Sequence, residues 1–171
     1  EDALHHVKGP TLLHITDTPS SFFSELKRLM GILKPEVVVH TGDLVDDLKL
    51  ELYPSLRQSY ETSLVKLMKL MNESEAKRII FLLGNHDDPA LVAKHAGRVE
   101  IYPETFSEVF HQMVFRCAHN QRAFSNGTAE SAIAAGAIAT GAIASNAADF
   151  YLFGHDLSLK SQQTPEGTYL N

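Results

Sequence analysis

The chain has one cysteine, Cys117, in 171 residues. A lone thiol excludes an internal disulfide and suits a reducing cytosol, so a cytoplasmic location is expected. No apolar run approaches the roughly 20 residues that span a bilayer, which argues against a membrane partner. Basic residues are outnumbered, 15 Lys and Arg against 21 Asp and Glu, for a net charge of -6, and no Lys/Arg block occurs. A nucleic-acid duplex is therefore a poor partner, because no cationic cluster is there to release its counterions. A signal-peptide pattern is missing too, although the chain begins at Glu1 without a Met. Residues 1–10, with His5-His6 ahead of Val7-Lys8-Gly9-Pro10, read as a leader or tag remnant, and residues 11–171 as one domain. What remains is ordinary for a globular protein: 44% hydrophobic and 21% charged, enough to bury a sizeable core.

The most informative stretch is Ile79-Ile80-Phe81-Leu82-Leu83-Gly84-Asn85-His86-Asp87-Asp88. A short apolar run bounded by a turn signal fits a strand buried on both faces. In open α/β sheets, ligands bind outside the carboxyl ends of such strands. Two similar runs precede it, Leu12-Leu13-His14-Ile15-Thr16 ending at Asp17 and Val37-Val38-Val39-His40 ending at Thr41-Gly42-Asp43. Between them, residues 21–33 carry Phe22, Leu26, Leu29, Met30 and Leu33 at helical spacing, with Gly31 and Pro35 marking the stop. Residues 46–71 read as mostly helical with a break near Pro54, and the stripe Leu64, Leu67, Met68, Met71 reads as core packing. Pro89 opens a short helix to His95, stopped by Gly97. Residues 98–102 and 109–118 then read as consecutive strands, which suggests a second sheet in an α/β fold. The five-residue Ala/Ile/Gly repeat over 132–146 matches neither period, and a small-residue helix against a sheet is expected there. Phe150-Tyr151-Leu152-Phe153 reads as a strand before Gly154-His155, and a closing hairpin follows.

Five strand ends thus deliver nitrogen or oxygen donors: Asp17, Asp43, Asn85-His86, His119 and His155. Singly, each has a plain reading as a helix cap, a turn residue or a hydrogen-bonded polar group. Jointly they occupy corresponding places in strands that should lie side by side, which favours a metal site. Mixed carboxylate, amide and imidazole donors suit Mn, Fe or Zn better than Ca.

These residues, in this order, resemble the motifs of the calcineurin-like metallophosphoesterase family. The family's D-x-H, G-D-x-x-D, G-N-H-[DE], lone His and G-H-x-H are met by Asp17, by Gly42-Asp43-Leu44-Val45-Asp46, by Gly84-Asn85-His86-Asp87, by His119 and by Gly154-His155. The spacing is most similar to the small bacterial and archaeal phosphodiesterases. The resemblance implies a four-layer two-sheet β sandwich flanked by helices, with a dinuclear centre. It makes Asp17, Asp43, Asn85, His119 and His155 metal ligands, Mn being the leading ion with Fe or Zn as alternatives. It also implies attack of a metal-bound water on a phosphodiester or phosphomonoester, the substrate being a small molecule or nucleotide. His86 would stabilise the transferring phosphoryl group or protonate the leaving alkoxide.

Two departures stand out. Pro19 and Leu157 occupy the positions of two family histidines, both ligands of the first metal. The second metal's ligands, Asp43, Asn85, His119 and His155, all remain. The resemblance therefore implies one tightly held ion and a second that is weak or absent, unless Asp156, His14, Asp46 or Asp87 compensates. The alternative is a degenerate, non-catalytic scaffold with one metal or none. The motifs set no oligomeric state.

Overall fold

The computed structural model describes residues 9–124, 148–155, 162–165 and 167–170. The Ala/Ile/Gly repeat, most of the leader, Asp156 and Leu157 lie outside the described residues. The chain forms two compact units, Glu1–Pro103 and Glu104–Asn171.

In the first unit, strands β1 (Leu12–Ile15), β2 (Val37–His40), β3 (Arg78–Leu82) and β4 (Glu100–Tyr102) form one sheet in that order. Every pair is parallel, with His14 opposite Val39, Val39 opposite Ile80, and Phe81 opposite Ile101. Three helices connect them: α1 (Phe23–Leu33), α2 (Arg57–Asn72) and α3 (Pro89–His95). Side chains alternate across a strand, so Val38, Ile79 and Phe81 share a face. They pack there with Phe23, Leu26 and Met30 of α1, with Leu64, Leu67, Met68 and Met71 of α2, and with Leu91 and Val92 of α3. The Leu/Met stripe is therefore core, and each such side chain contributes about 1.5–3 kcal/mol by burial. Val37, Val39, Ile80 and Leu82, on the other face of the strands, are buried as well. That explains why β2 and β3 read as continuous apolar runs rather than alternating ones.

Helix α3 begins as its sequence suggests. Pro89 sits in the first turn, and the Asp88 carboxylate caps the helix by accepting the Leu91 amide at 3.0 Å. Elsewhere the structure departs from expectation. Residues 46–52 form turns, not helix, and α2 starts only at Arg57 after a 3-10 turn over Pro54–Leu56. Pro54 lacks an amide donor and belongs at a helix start rather than inside one. Helix α1 likewise begins after a 3-10 turn over Ser20–Phe22, and it ends on Lys34 in a left-handed conformation (φ 44°). Strand β4 extends the first sheet instead of opening the second.

The second unit holds β5 (Thr105–Phe110), β6 (Met113–Ala118), β7 (Phe150–Phe153), β8 (Gln162–Thr164) and β9 (Gly167–Leu170), in the order β5-β6-β7-β9-β8. The stretch read as one strand over 109–118 is two, joined by a tight turn in which His111 and Gln112 both have positive φ (49° and 70°). Such a two-residue hairpin normally announces itself by Asn-Gly, and His-Gln hides it. Strands β6, β7 and β9 run parallel, so β6 and β7 present their carboxyl ends at the same edge. Cys117 is wholly buried in β6, and burial pushes its thiol far up, which makes it inert. Two sheets with flanking helices are the components of the α/β sandwich expected from the motifs. Among the described residues, no helix is long and apolar enough to cross a membrane.

Candidate metal centre

At the carboxyl edge of the first sheet, two loops are tied to each other by backbone hydrogen bonds. Thr41 donates to the Ile15 carbonyl at 3.0 Å, Asp17 to Gly42 at 3.1 Å, and Thr18 to Asp43 at 3.0 Å. His40, fully buried at the end of β2, accepts the Gly42 amide on Nδ1 at 3.2 Å. Its Nε2 therefore carries the proton and donates to Thr18 Oγ1 at 2.9 Å. Asp17 and Asp43 both sit in the left-handed region, with φ of 46° and 53°. That conformation is costly outside glycine, and it is concentrated where function overrides local preference. Neither aspartate is a helix cap: the residue ahead of the first 3-10 turn is Pro19, whose carbonyl accepts the Phe22 amide at 2.9 Å.

The outcome is a carboxylate cluster. Oxygens of Asp17, Asp43 and Asp46 lie within 4.8 Å of one another. Like charges so close repel, and the Lys49 ammonium, 3.0 Å from Asp46 Oδ1, offsets part of that. Its pKa is raised by the hydrogen bond to Asp46 and by the fields of Asp43 and Asp17. A set of hard oxygen donors on two cross-tied loops fits a divalent cation.

The loop after β3 locks onto the same edge through Asp87. Its Oδ2 accepts the amides of Gly84 (2.7 Å) and Asp43 (3.0 Å), and its Oδ1 accepts the Leu44 amide (2.9 Å) and the Tyr60 hydroxyl (2.8 Å). Burial pushes the Asp87 carboxyl up, against the hydrogen bonds from Gly84, Tyr60 and Leu44 that favour its charged form. Asp87 is thus a structural clamp, already committed to four donors, and it does not compensate for a missing metal ligand. The His86 amide donates to Asp43 Oδ1 at 3.2 Å, drawing the loops closer still. This approach explains Gly84. A Cβ there would stand 2.1 Å from Asp43 Oδ1 and 2.3 Å from its amide nitrogen. Gly84→Ala is expected to destabilise the protein by about 1–3 kcal/mol and to weaken metal binding, read by denaturant unfolding and metal titration.

The side chains of Asn85 and His86 meet a residue that motif spacing did not reveal. Asn85 Nδ2 donates to Glu51 Oε2 at 2.9 Å and lies 3.2 Å from His86 Nδ1; Glu51 Oε2 is 3.4 Å from the same imidazole nitrogen. An open cavity of about 440 Å³ adjoins them, lined by Leu50, Glu51, Pro54, Arg57, Asn85 and Asp88 among others. The only sequence signal for Glu51 was its place close after the second motif.

His14 does not join the cluster. Its Nε2 pairs with Thr41 Oγ1 at 2.9 Å, and burial pushes its pKa from 6.5 to about 4, which the nearby Asp17 only partly offsets. The unfolded chain therefore binds a proton that the folded chain refuses between these values. Stability of chelator-treated protein is expected to fall as pH drops from about 6.5 to about 4, by at most about 3 kcal/mol and less for the exposure the ring retains. His14→Gln should flatten that slope in urea melts.

In the second unit, His119 follows β6 and His155 follows β7. His119 is buried, and the two rings lie 4.9 Å apart at 47°. The Gly154 amide donates to the His119 carbonyl at 3.1 Å, and His155 is left-handed (φ 57°), like the two aspartates. Two imidazoles from adjacent parallel strands are suited to share a borderline metal.

The profile of the calcineurin-like phosphoesterase family matches residues 10–129. The chain belongs to the calcineurin-like phosphoesterase family. Membership bears out the expected two-sheet α/β fold with flanking helices. It also agrees with the ligand chemistry at the carboxyl edges of the strands. A curated relative is similar: the UDP-2,3-diacylglucosamine pyrophosphatase LpxG of Chlamydia muridarum, 28% identical over 133 residues, which cover 69% of this chain and 37% of LpxG. The chain thus corresponds to little more than a third of that relative. Of the compensating residues considered for the first family site, Asp46 stands beside Asp17 and Asp43, whereas His14 and Asp87 are engaged elsewhere.

Proposed function

We propose that this family member is a metal-dependent phosphoesterase acting on a phosphodiester or phosphomonoester of a small molecule or nucleotide. The reading is supported chiefly by Asp17, Asp43 and Asp46 gathering beside the Asn85–His86 pair at the carboxyl edge of one sheet. Asp43, Asn85, His119 and His155 hold one divalent cation, Mn first and Fe or Zn as alternatives. Asp17, with Asp43 and Asp46, holds a second one weakly, because Pro19 and Leu157 stand where the family has histidines. A bound cation supplies Lewis-acid stabilisation of phosphoryl charge and lowers the pKa of water. Asn85 would offer its carbonyl oxygen to the cation, its Nδ2 being engaged by Glu51. His86 donates a proton toward the leaving oxygen or hydrogen-bonds the transferring phosphoryl group. The lone, buried Cys117 suits a cytoplasmic setting. The LpxG relative is named for cleaving a UDP-linked pyrophosphate, so such anhydrides belong among the substrates tested.

The test is hydrolysis of bis-p-nitrophenyl phosphate and of a UDP-sugar after chelation and on adding manganese back. Turnover that disappears with chelator and returns with manganese is expected. No turnover, with metal analysis showing no bound ion, would sink the enzymatic reading. Pro19 and Leu157 also favour a second reading, a non-catalytic scaffold. The variant carrying Pro19→His and Leu157→His separates the two. If the first site is merely weakened, its manganese affinity and kcat should rise about 10- to 100-fold; under the scaffold reading the metal content rises without turnover.

A further inference from the structure

We infer that Glu51 is a positioning residue that sets the orientation of both Asn85 and His86. The inference rests on the proposal that His86 acts on the phosphate ester. One carboxylate oxygen addresses both side chains, accepting Asn85 Nδ2 at 2.9 Å and facing His86 Nδ1 at 3.4 Å. An amide whose nitrogen is held cannot flip, so its carbonyl oxygen keeps a fixed direction as a donor atom. An imidazole whose Nδ1 faces a carboxylate is held in one ring orientation, and Nε2, 3.3 Å from Asn85 Nδ2, is then the nitrogen left to meet the phosphate ester.

The carboxylate is 57% exposed, yet its backbone is well anchored. Leu52 and Tyr53 both donate to the Lys49 carbonyl, at 3.1 and 2.9 Å, and Leu48 donates to Val45 at 3.0 Å. Leu48 and Leu50 are partly buried and pack against the core of the first unit. Lys49, next but one to Glu51, is drawn to Asp46 at 3.0 Å. The turn is therefore pinned on both sides of Glu51, while the side chain reaches Asn85 and His86 and lines the 440 Å³ cavity together with Asn85. The second family aspartate, Asp46, is occupied by Lys49 and the carboxylate cluster, and among the described contacts of the His86 ring the only carboxylate is that of Glu51. An exposed ion pair adds little stability, about 0–1 kcal/mol, so removing it should leave the fold intact and expose any role in turnover.

The experiment uses the full chain loaded with manganese and two diesters, bis-p-nitrophenyl phosphate and diphenyl phosphate, whose leaving groups differ in their need for a proton. Glu51→Gln is expected to lower kcat for the phenyl ester about 10- to 100-fold, with a smaller loss for the nitrophenyl ester. KM should stay within about twofold and the melting temperature should not move. Glu51→Asp should recover part of the loss. Adding Glu51→Gln to His86→Ala should cost nothing further, because the glutamine amide oxygen still accepts Asn85 Nδ2 and the part of Glu51 that is lost, its charge, acts through the imidazole. In metal-free protein, the ring-nitrogen NMR signals of His86 should shift in Glu51→Gln. Wild-type kcat for Glu51→Gln on both esters, or losses that add to those of His86→Ala, would overturn the inference while leaving His86 in place. If His86→Ala itself retains wild-type kcat, the reading of His86 fails and the inference falls with it.

Discussion

Replacing His86 by alanine is expected to lower kcat by about 10²- to 10⁴-fold, the usual contribution of a placed proton donor. KM and metal content should change little. The side chain is buried, but its ring sits at the surface of the site between Asn85 and Glu51 and fills no core layer. The backbone amide of residue 86, which ties the loop to Asp43 Oδ1, survives the substitution. The loss should therefore fall on the chemical step rather than on folding. It should be largest for esters with poor leaving groups, if the imidazole gives up a proton. A loss that is equal for all leaving groups would indicate charge stabilisation instead. Stopped assays on both diesters, beside a melting curve, make the distinction, and an unchanged rate would remove His86 from the mechanism.

Asp87→Ala should be the most damaging single change to the fold at the site, at about 3–5 kcal/mol. Three backbone amides, those of Gly84, Asp43 and Leu44, would lose their acceptor, together with the Tyr60 hydroxyl. Tyr60 is fully buried, and burial together with the Asp87 charge pushes its phenol well up, so the hydroxyl has no water to turn to. Each buried donor left unmet costs about 1–3 kcal/mol. Asp87→Asn fills the same space but turns an NH₂ toward at least one of those donors, and it should still destabilise measurably. Because Asp43 hangs from the same carboxylate, manganese affinity should fall with stability. Denaturant unfolding and metal titration on both variants would check this; wild-type stability for Asp87→Ala would show that the clamp is dispensable.

The parts legible in the sequence were those encoded locally. Continuous apolar runs marked β2 and β3 because both faces of those strands are buried, and a buried strand needs no alternation. Gly42-Asp43 and Gly84-Asn85-His86-Asp87 could be read because each follows such a run directly. Less legible were the segments whose conformation is imposed from a distance. Residues 46–52 read as the start of a helix, yet Leu48 and Leu50 pack against the core from a chain of turns. The hairpin at His111-Gln112 takes left-handed conformations that its residues do not advertise.

The site divides along the same line. By itself, the sequence determined which donors sit at the strand ends and that they match a family of phosphoesterases, because side-chain chemistry and strand termination are local properties. It also determined that Pro19 and Leu157 offer no ligand. Only the tertiary structure decided what each neighbouring polar residue does. Asp87 proved to be a clamp across three segments, His14 a neutral partner of Thr41, Asp46 a member of the carboxylate cluster, and Glu51 the contact of Asn85 and His86. Those roles depend on which loops meet, and residues 34 and 44 positions apart in the chain meet only because parallel strands bring their carboxyl ends to one edge.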